Sequence, residues 1–249
     1  MIPEIKAEFK KVFTIRSTYI IIAITIALSI FFGFYIGGWH SDKLQLLDPL
    51  RIYGIAQQTI NFLAIFPALI GLLLFTHEFR YNTVAYSLTL SNNRSKVFAA
   101  KLIVISVISL VSAAILLTIS PLLADWGIRA HGLNLIHQSF FFRDIIWKGL
   151  AYGWMYALAG FVIAALIRNQ IGAIVVLFIV PGTVERLLGL LLNNNVVYLP
   201  FSAFHAMLGA DLGGGIKSTI SPISALYVSL GYIVFSLALS WVLFVKRDT

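Results

Sequence analysis

The stretch STYIIIAITIALSIFFGFYIGGWHS, residues Ser17–Ser41, contains 25 residues and no formally charged side chain. An α-helix rises about 1.5 Å per residue, so about 20 residues cross the roughly 30 Å of hydrocarbon in a bilayer. The stretch is therefore long enough to span a membrane, and it is too long for the apolar region of a signal peptide. Its apolar residues also run continuously instead of alternating, which favours a helix over a strand of a membrane barrel.

The rest of the chain repeats this pattern. Of its 249 residues, 59% are hydrophobic and 11% are charged, and the mean hydropathy is +0.92. Soluble domains carry about 25% charged residues. We predict an all-α integral membrane protein with one transmembrane domain over residues 1–249 and six spans at about residues 18–38, 54–76, 102–124, 148–167, 170–192 and 224–245. The sequence contains no cysteine, which excludes disulfides and thiolate sites.

The segment MIPEIKAEFKKVFTIR before the first span has the periodicity of an amphipathic helix. Five apolar residues fall within an arc of about 100° when successive residues are placed 100° apart; they are Ile2, Ile5, Phe9, Val12 and Phe13. Lys10 and Lys11 lie outside that arc. The pattern predicts a helix at about residues 3–16 that lies in the membrane interface with its lysines near lipid head groups. An ordinary basic flank of a span is the alternative.

Lysine and arginine indicate how the chain is oriented. If both termini are cytoplasmic, eleven of the 18 basic residues lie on the cytoplasmic side, at positions 6, 10, 11, 16, 80, 94, 96, 101, 168, 246 and 247. Cytoplasmic loops of membrane proteins carry an excess of these residues. The distribution therefore predicts cytoplasmic termini, and the net charge of +8 indicates contact with anionic membrane lipids instead of nucleic acid.

The sequence contains no complete motif for catalysis or metal binding. The segment GADLGGGIKST, residues Gly209–Thr219, resembles a phosphate-binding loop, but Ile216 separates Gly215 from Lys217 where that loop needs glycine followed directly by lysine. The five histidines are scattered and form no HExxH motif. We therefore expect no ATPase site, no metal site and no catalytic residue in this chain.

Glu185 and Arg186 interrupt the fifth apolar stretch. Ionisable groups at membrane depth are costly and usually face a partner or a cavity, so one hypothesis places this pair along a translocation path or at a gate. The alternative is a span that ends near Pro181, with Glu185 in an external re-entrant segment. An intramembrane enzyme that uses Glu185 is a further alternative. A secondary transporter would call for paired polar residues in the spans and an inverted repeat, and neither is visible.

The densest polar segment is HEFRYNTVAYSLTLSNNRSKVFAAK, residues His77–Lys101, between the second and third spans. Val84 and Leu88 are four residues apart, so a short helix would present an apolar edge there. Asn93 or Ser95 is suited to begin the following helix. Such a short helix could press into a groove on a cytoplasmic partner, and a plain basic loop is the alternative.

The order of residues in this segment resembles that of the type-2 ABC transporter permease family. In that family an acid ends the second span, a threonine and a leucine follow, then an arginine, and a lysine opens the third span. Here Glu78, Thr83, Leu88 or Leu90, Arg94 and Lys101 occupy those places. The six spans and the basic amphipathic N-terminal helix are also similar to that family. The sequence departs from the pattern at Asn82 and at Ser91-Asn92.

The resemblance implies a permease subunit of an ATP-driven exporter in the plasma membrane, which we expect to be that of a bacterium. Two permease chains, identical or different, would form the path, and separate ABC ATPase subunits would bind ATP and Mg²⁺. The segment near Thr83–Thr89 would act as the coupling helix. The coupling residues expected on this basis are Glu78, Thr83, Val84, Leu88, Arg94 and Lys101, and no cofactor would be bound by this chain itself.

Overall fold

The computed structural model describes residues 2–42, 48, 50–81, 93–134, 142–209 and 220–246. These residues are predominantly helical and include no strand. The α-helices are α1 (Ile2–Thr14), α2 (Arg16–Ile30), α3 (Arg51–Leu63), α4 (Ile65–Arg80), α5 (Arg94–Ala130), α6 (Phe142–Ile167), α7 (Gln170–Ile179), α8 (Glu185–Leu192), α9 (Pro200–Leu208) and α10 (Pro222–Lys246). Two π-helical segments follow α2 and α7, at Phe31–Trp39 and Val180–Val184, and a 3₁₀-helix follows α8 at Asn193–Tyr198.

Six continuous helical stretches are long and apolar enough to cross a membrane, which confirms the predicted all-α membrane fold with six transmembrane helices. They are Arg16–Trp39, Arg51–Arg80, Arg94–Ala130, Arg143–Ile167, Gln170–Tyr198 and Pro222–Lys246. The third contains 37 residues, about 56 Å at 1.5 Å per residue, and so extends well beyond the hydrocarbon. Its first turn is capped as expected, because the Asn93 side chain accepts hydrogen bonds from the backbone N–H groups of Ser95 and Lys96.

The second and fourth spans form the centre of the bundle. In their most apolar windows 72% and 67% of the residues are buried, against 17–33% in the other four spans. The two helices approach closely at Gly160, where an added Cβ would lie 2.4 Å from the carbonyl oxygen of Ala68. Small residues at such a crossing let two backbones pack against each other without a side chain between them.

The N-terminal helix α1 packs against one end of this bundle, as the amphipathic pattern predicts. Val12 is buried, and Ile5 and Phe9 pack against the core. Ile2 and Phe13 stay 81% and 50% exposed, so the bundle covers only one edge of the predicted apolar arc. The exposed apolar residues are available to contact lipid, which is consistent with a helix in the interface.

The helix of the fifth span continues past Pro181, where the alternative considered above expected the span to end. Proline lacks a backbone N–H and breaks the hydrogen-bond ladder of an α-helix. Here the break is absorbed by the π-helical segment Val180–Val184, after which α8 continues from Glu185 to Leu192. Such π-helical insertions are common where a helix carries a functional or strained sequence.

A short buried helix follows the fifth span. Helix α9 begins at Pro200, whose fixed φ suits the first helical position, and ends at Gly209, which has the positive φ of 79° that favours glycine. Its residues Phe204 and Met207 are almost fully buried. The helix is therefore held inside the bundle, against α6 and α10, and does not cross it.

We expect Gly160→Ala to destabilise the protein by about 1–3 kcal/mol, because the new Cβ forces the second and fourth spans apart. The measurement is the thermal unfolding midpoint of the purified protein in detergent. Gly231→Ala is the matched control, since a Cβ there meets nothing within 4 Å. Equal midpoints for the two variants would contradict a tight crossing at Gly160.

Candidate functional site

Four charged side chains meet where α1, α4 and α5 come together. The ammonium of Lys101 lies 2.8 Å from a carboxylate oxygen of Glu8 and 2.8 Å from one of Glu78. The ammonium of Lys11 lies 2.7 Å from the other oxygen of Glu8 and 2.6 Å from the same oxygen of Glu78. We call Glu8, Lys11, Glu78 and Lys101 the ion cluster. Two acids and two bases make its formal charge zero.

Three of the four members of the ion cluster are buried, and Lys11 is partly exposed. Glu8, Glu78 and Lys101 are 3%, 6% and 1% exposed, and Lys101 also donates a hydrogen bond of 3.3 Å to the carbonyl oxygen of Leu74. Burial by itself lowers the pKa of Lys11, but the carboxylates of Glu78 and Glu8 outweigh this and raise that pKa above its ordinary value. Buried charges of this kind persist only when they are paired, so each member constrains the positions of the others.

The ends of the other spans are gathered at the same end of the bundle, which we call the basic end. The guanidinium of Arg94 donates to the carbonyl oxygen of Val245 at 3.3 Å, and that of Arg168 donates to Leu243 at 3.3 Å. Cations are favourable at the C-terminal end of a helix, where carbonyl groups lack helical partners. Arg80 at the end of α4 donates to Gln170 at 3.0 Å, which ties the second span to the fifth.

The structure brings three of the six expected coupling residues to the basic end. Glu78 and Lys101 are in direct contact within the ion cluster, whereas Arg94 contacts the last turn of α10 instead. Thr83, Val84 and Leu88 lie outside the described residues, so their proposed contact with a partner stays a prediction. The described residues adjoining the 82–92 segment are Tyr81 and Asn93, and both belong to the basic end.

Sequence reasoning missed Glu8, although a signal for it was present. Glu8 follows Ile5 by three residues and precedes Val12 by four, which places it on the buried face of α1. A buried acid on the packed face of a helix needs a cation or hydrogen-bond donors, and Lys101, which follows the uncharged residues 97–100 of α5, is such a cation. Neither residue by itself identifies the other, because they are 93 positions apart.

Glu185 occupies a second polar site, within the fifth span. One carboxylate oxygen accepts from the backbone N–H of Phe201 at 2.9 Å, and the other accepts from the N–H and the hydroxyl of Ser202 at 2.6 and 2.7 Å. These N–H groups belong to the first turn of α9, which has no partner for them within the helix. Glu185 therefore caps α9 from a distant part of the chain, and its negative charge faces the positive end of that helix.

A cavity of about 390 Å³ lies beside this cap, between the second span, the fifth span and α9. Its polar wall includes Asn61, Glu185, Arg186, Ser202 and His205. A hydrogen-bond network lies behind that wall, because the hydroxyl of Tyr152 contacts the Asn61 side-chain oxygen at 2.8 Å and His205 Nε2 at 3.3 Å. Of the predicted pair, Glu185 is thus buried as a cap, while Arg186 is exposed at the cavity.

Two comparisons with known proteins bear on this arrangement. The family described as "ABC-2 family transporter protein" matches residues 4–184, which is well over half of the chain. The matched region includes all but the first two residues of α1, the whole ion cluster and the whole π-helical segment of the fifth span. No curated protein matches the chain.

We expect Lys101→Met to destabilise the protein by about 3–5 kcal/mol, because two buried carboxylates lose a cation. The measurement is unfolding of the purified protein in detergent, by heat or by added dodecyl sulfate. Lys96→Met is the matched control, since Lys96 lies on the same helix and is exposed. Similar stability of the two variants would show that the ion cluster contributes little.

Glu185→Gln should loosen α9, because an amide cannot accept from all three donors and its NH₂ group faces the N–H groups of the helix. The expected loss of about 1–3 kcal/mol for these bonds corresponds to an acceleration of amide exchange in α9 of about 5- to 160-fold. Hydrogen–deuterium exchange measured on peptides covering Pro200–Leu208 tests this. The neighbouring variant Arg186→Gln is the control, and equal exchange in both variants would count against the capping role.

Proposed function

The chain belongs to the ABC-2 family of transporter proteins, and on that premise we propose that it is the permease subunit of an ATP-driven exporter. Membership of this family makes the chain a membrane component of a transport system. Export as the direction, and ATP as the source of energy, are our proposal. In this proposal separate ABC ATPase subunits bind ATP and Mg²⁺ at the basic end, which faces the cytoplasm with both termini.

The ion cluster is the observation that carries this proposal. The segment 82–92 connects α4, which carries Glu78 in its last turn, to α5, of which Lys101 is the eighth residue, so the two helices that flank the segment are joined by an ion pair. A force on that segment reaches both helices, and through Glu8 and Lys11 it reaches α1 as well. A docking segment anchored in this way can move three helices together.

The coupling step requires differential binding. An ATPase pair can reorient the spans only if its closed and open states bind the docking segment differently. We propose that Thr83, Val84 and Leu88 make this contact, and that Glu78, Arg94 and Lys101 anchor the segment to the bundle. A second permease chain, identical or different, would complete the translocation path, with the cavity beside Arg186 as part of its lining.

The geometry of Glu185 favours a transport subunit over an intramembrane enzyme. Both carboxylate oxygens are engaged by the first turn of α9, so the group is held as a structural cap. A general acid or base has to be within hydrogen-bond reach of a reacting group. In the proposed function Glu185 shapes the site, and no residue of this chain acts as a catalyst.

Val84→Asp and Leu88→Asp are expected to weaken docking of the ATPase subunits. A charged side chain in a central apolar contact costs about 2 kcal/mol or more, which is roughly thirtyfold in affinity. The chain would be co-expressed with candidate ABC ATPases of the same cell, and co-purification and ATP-dependent transport in vesicles would be measured.

Leu50→Asp is the matched control. Leu50 is exposed and precedes the N-terminal end of the second span, whereas the segment 82–92 follows its C-terminal end. This variant should leave assembly intact. Unchanged assembly and unchanged ATP-dependent transport in Val84→Asp and Leu88→Asp would overturn the docking role of the segment.

A further inference from the structure

Arg186 is a cation in an apolar stretch of the chain, and no described residue supplies an anion for it. It lies sixteen residues after Gln170, about 24 Å along a helix that begins at the basic end. Arg186 makes no hydrogen bond or ion pair with any residue in the described part of the chain, although its charge acts on His205. An arginine at membrane depth is costly unless it faces a partner or a polar cavity. The cavity of about 390 Å³ is what Arg186 faces.

The adjacent acid does not neutralise Arg186. Successive residues of an α-helix point about 100° apart, so the side chains of neighbouring residues such as Glu185 and Arg186 face different directions. Glu185 turns inward, is 4% exposed, and gives both oxygens to the start of α9. The positive end of that helix compensates the carboxylate. Among the residues that the structure describes, Arg186 therefore has no anionic partner and is available to bind the anion of a ligand.

A second donor lines the same cavity. The Tyr152 hydroxyl donates to the side-chain oxygen of Asn61 at 2.8 Å. This leaves the NH₂ group of Asn61 without a partner among the residues that the structure describes. A guanidinium and an amide NH₂ are donors only, a combination that suits a carboxylate or a phosphate and disfavours a cation.

The opposite wall of the cavity is apolar. Phe62 and Phe178 line it and are 56% and 48% exposed, so they form its mouth on the side of the bundle, together with Ile65. A molecule bound in this cavity can therefore contact both apolar side chains and the cation of Arg186. Apolar side chains combined with convergent polar groups that fix a ligand's orientation are typical of sites for small molecules.

We propose that this cavity binds the anionic head of an amphipathic molecule, with its carboxylate or phosphate at Arg186 and its hydrocarbon part along Phe62 and Phe178. That this molecule is the cargo rests on the proposed transport function. Anionic bilayer lipid offers the same head-group chemistry, so the two sources are separated by experiment.

The test uses the full-length chain in nanodiscs of zwitterionic phosphatidylcholine. The probes are 11-(dansylamino)undecanoic acid and its uncharged methyl ester, with energy transfer from tryptophan to dansyl as the readout. Charge-assisted hydrogen bonds to the acid should make it bind about tenfold more tightly than the ester. Arg186→Gln should remove this preference while retaining binding of the ester, and Arg186→Lys should restore part of it.

Arg143→Gln is the matched control, because Arg143 is exposed at the start of α6, away from the cavity residues. It should keep the preference for the acid. Equal binding of acid and ester by the unmodified chain, or a preference that survives in Arg186→Gln, would overturn the anion site.

A second arm repeats the titration in nanodiscs that contain anionic phosphatidylglycerol. Acid binding that persists supports a site for cargo, whereas acid binding lost to competition assigns the site to bilayer lipid and overturns the cargo assignment. Neither arm needs ATP or an ATPase subunit. Failure of this test therefore leaves the coupling proposal standing, and failure of ATPase docking leaves the anion site standing.

Discussion

The ammonium of Lys101 lies between the carboxylates of Glu8 and Glu78, in a place where water does not reach it. A charge in such surroundings is tolerated only while its partners stay within contact distance, so the three helices that carry these residues are held to one arrangement. Lys11 closes the cluster from the partly exposed side of α1. The N-terminal helix is thereby bound to the bundle by electrostatics as well as by the packing of Val12.

Further contacts join the helices at the basic end to one another. Arg94 and Arg168 bind the last carbonyl groups of α10, and Arg80 binds Gln170 of the fifth span. Side chains near the segment 82–92 thus contact α1 and the second, third, fifth and sixth spans. In the proposed function the driving force comes from a partner, and an end that is cross-linked in this way is suited to distribute that force.

A different solution to the same problem of buried polarity occurs along the fifth span. There the acid is satisfied by helix N–H groups instead of cations, and Pro181 is absorbed by a π-helical segment that lets the helix continue to Glu185. Both carboxylate oxygens of Glu185 accept hydrogen bonds from α9, so within the described part of the chain the charge of Arg186 at the cavity has no counter-ion. The two ionisable residues that look like a pair in the sequence therefore have separate roles.

The sequence by itself determined the membrane architecture, the amphipathic N-terminal helix and the cap at Asn93. Lipid cannot satisfy backbone hydrogen bonds, so a continuous apolar run that is long enough to span the membrane forms a helix, which satisfies them within itself. Glu78, Arg94 and Lys101 could also be singled out, because their charges adjoin long uncharged stretches. Only the tertiary structure decided that Glu8 binds Lys101, that Glu185 caps α9, and that Arg186 faces a cavity with Asn61. Glu8 and Lys101 are 93 positions apart, and Glu185 and Phe201 are 16 positions apart. No local rule of helix geometry relates such positions until the helices have packed.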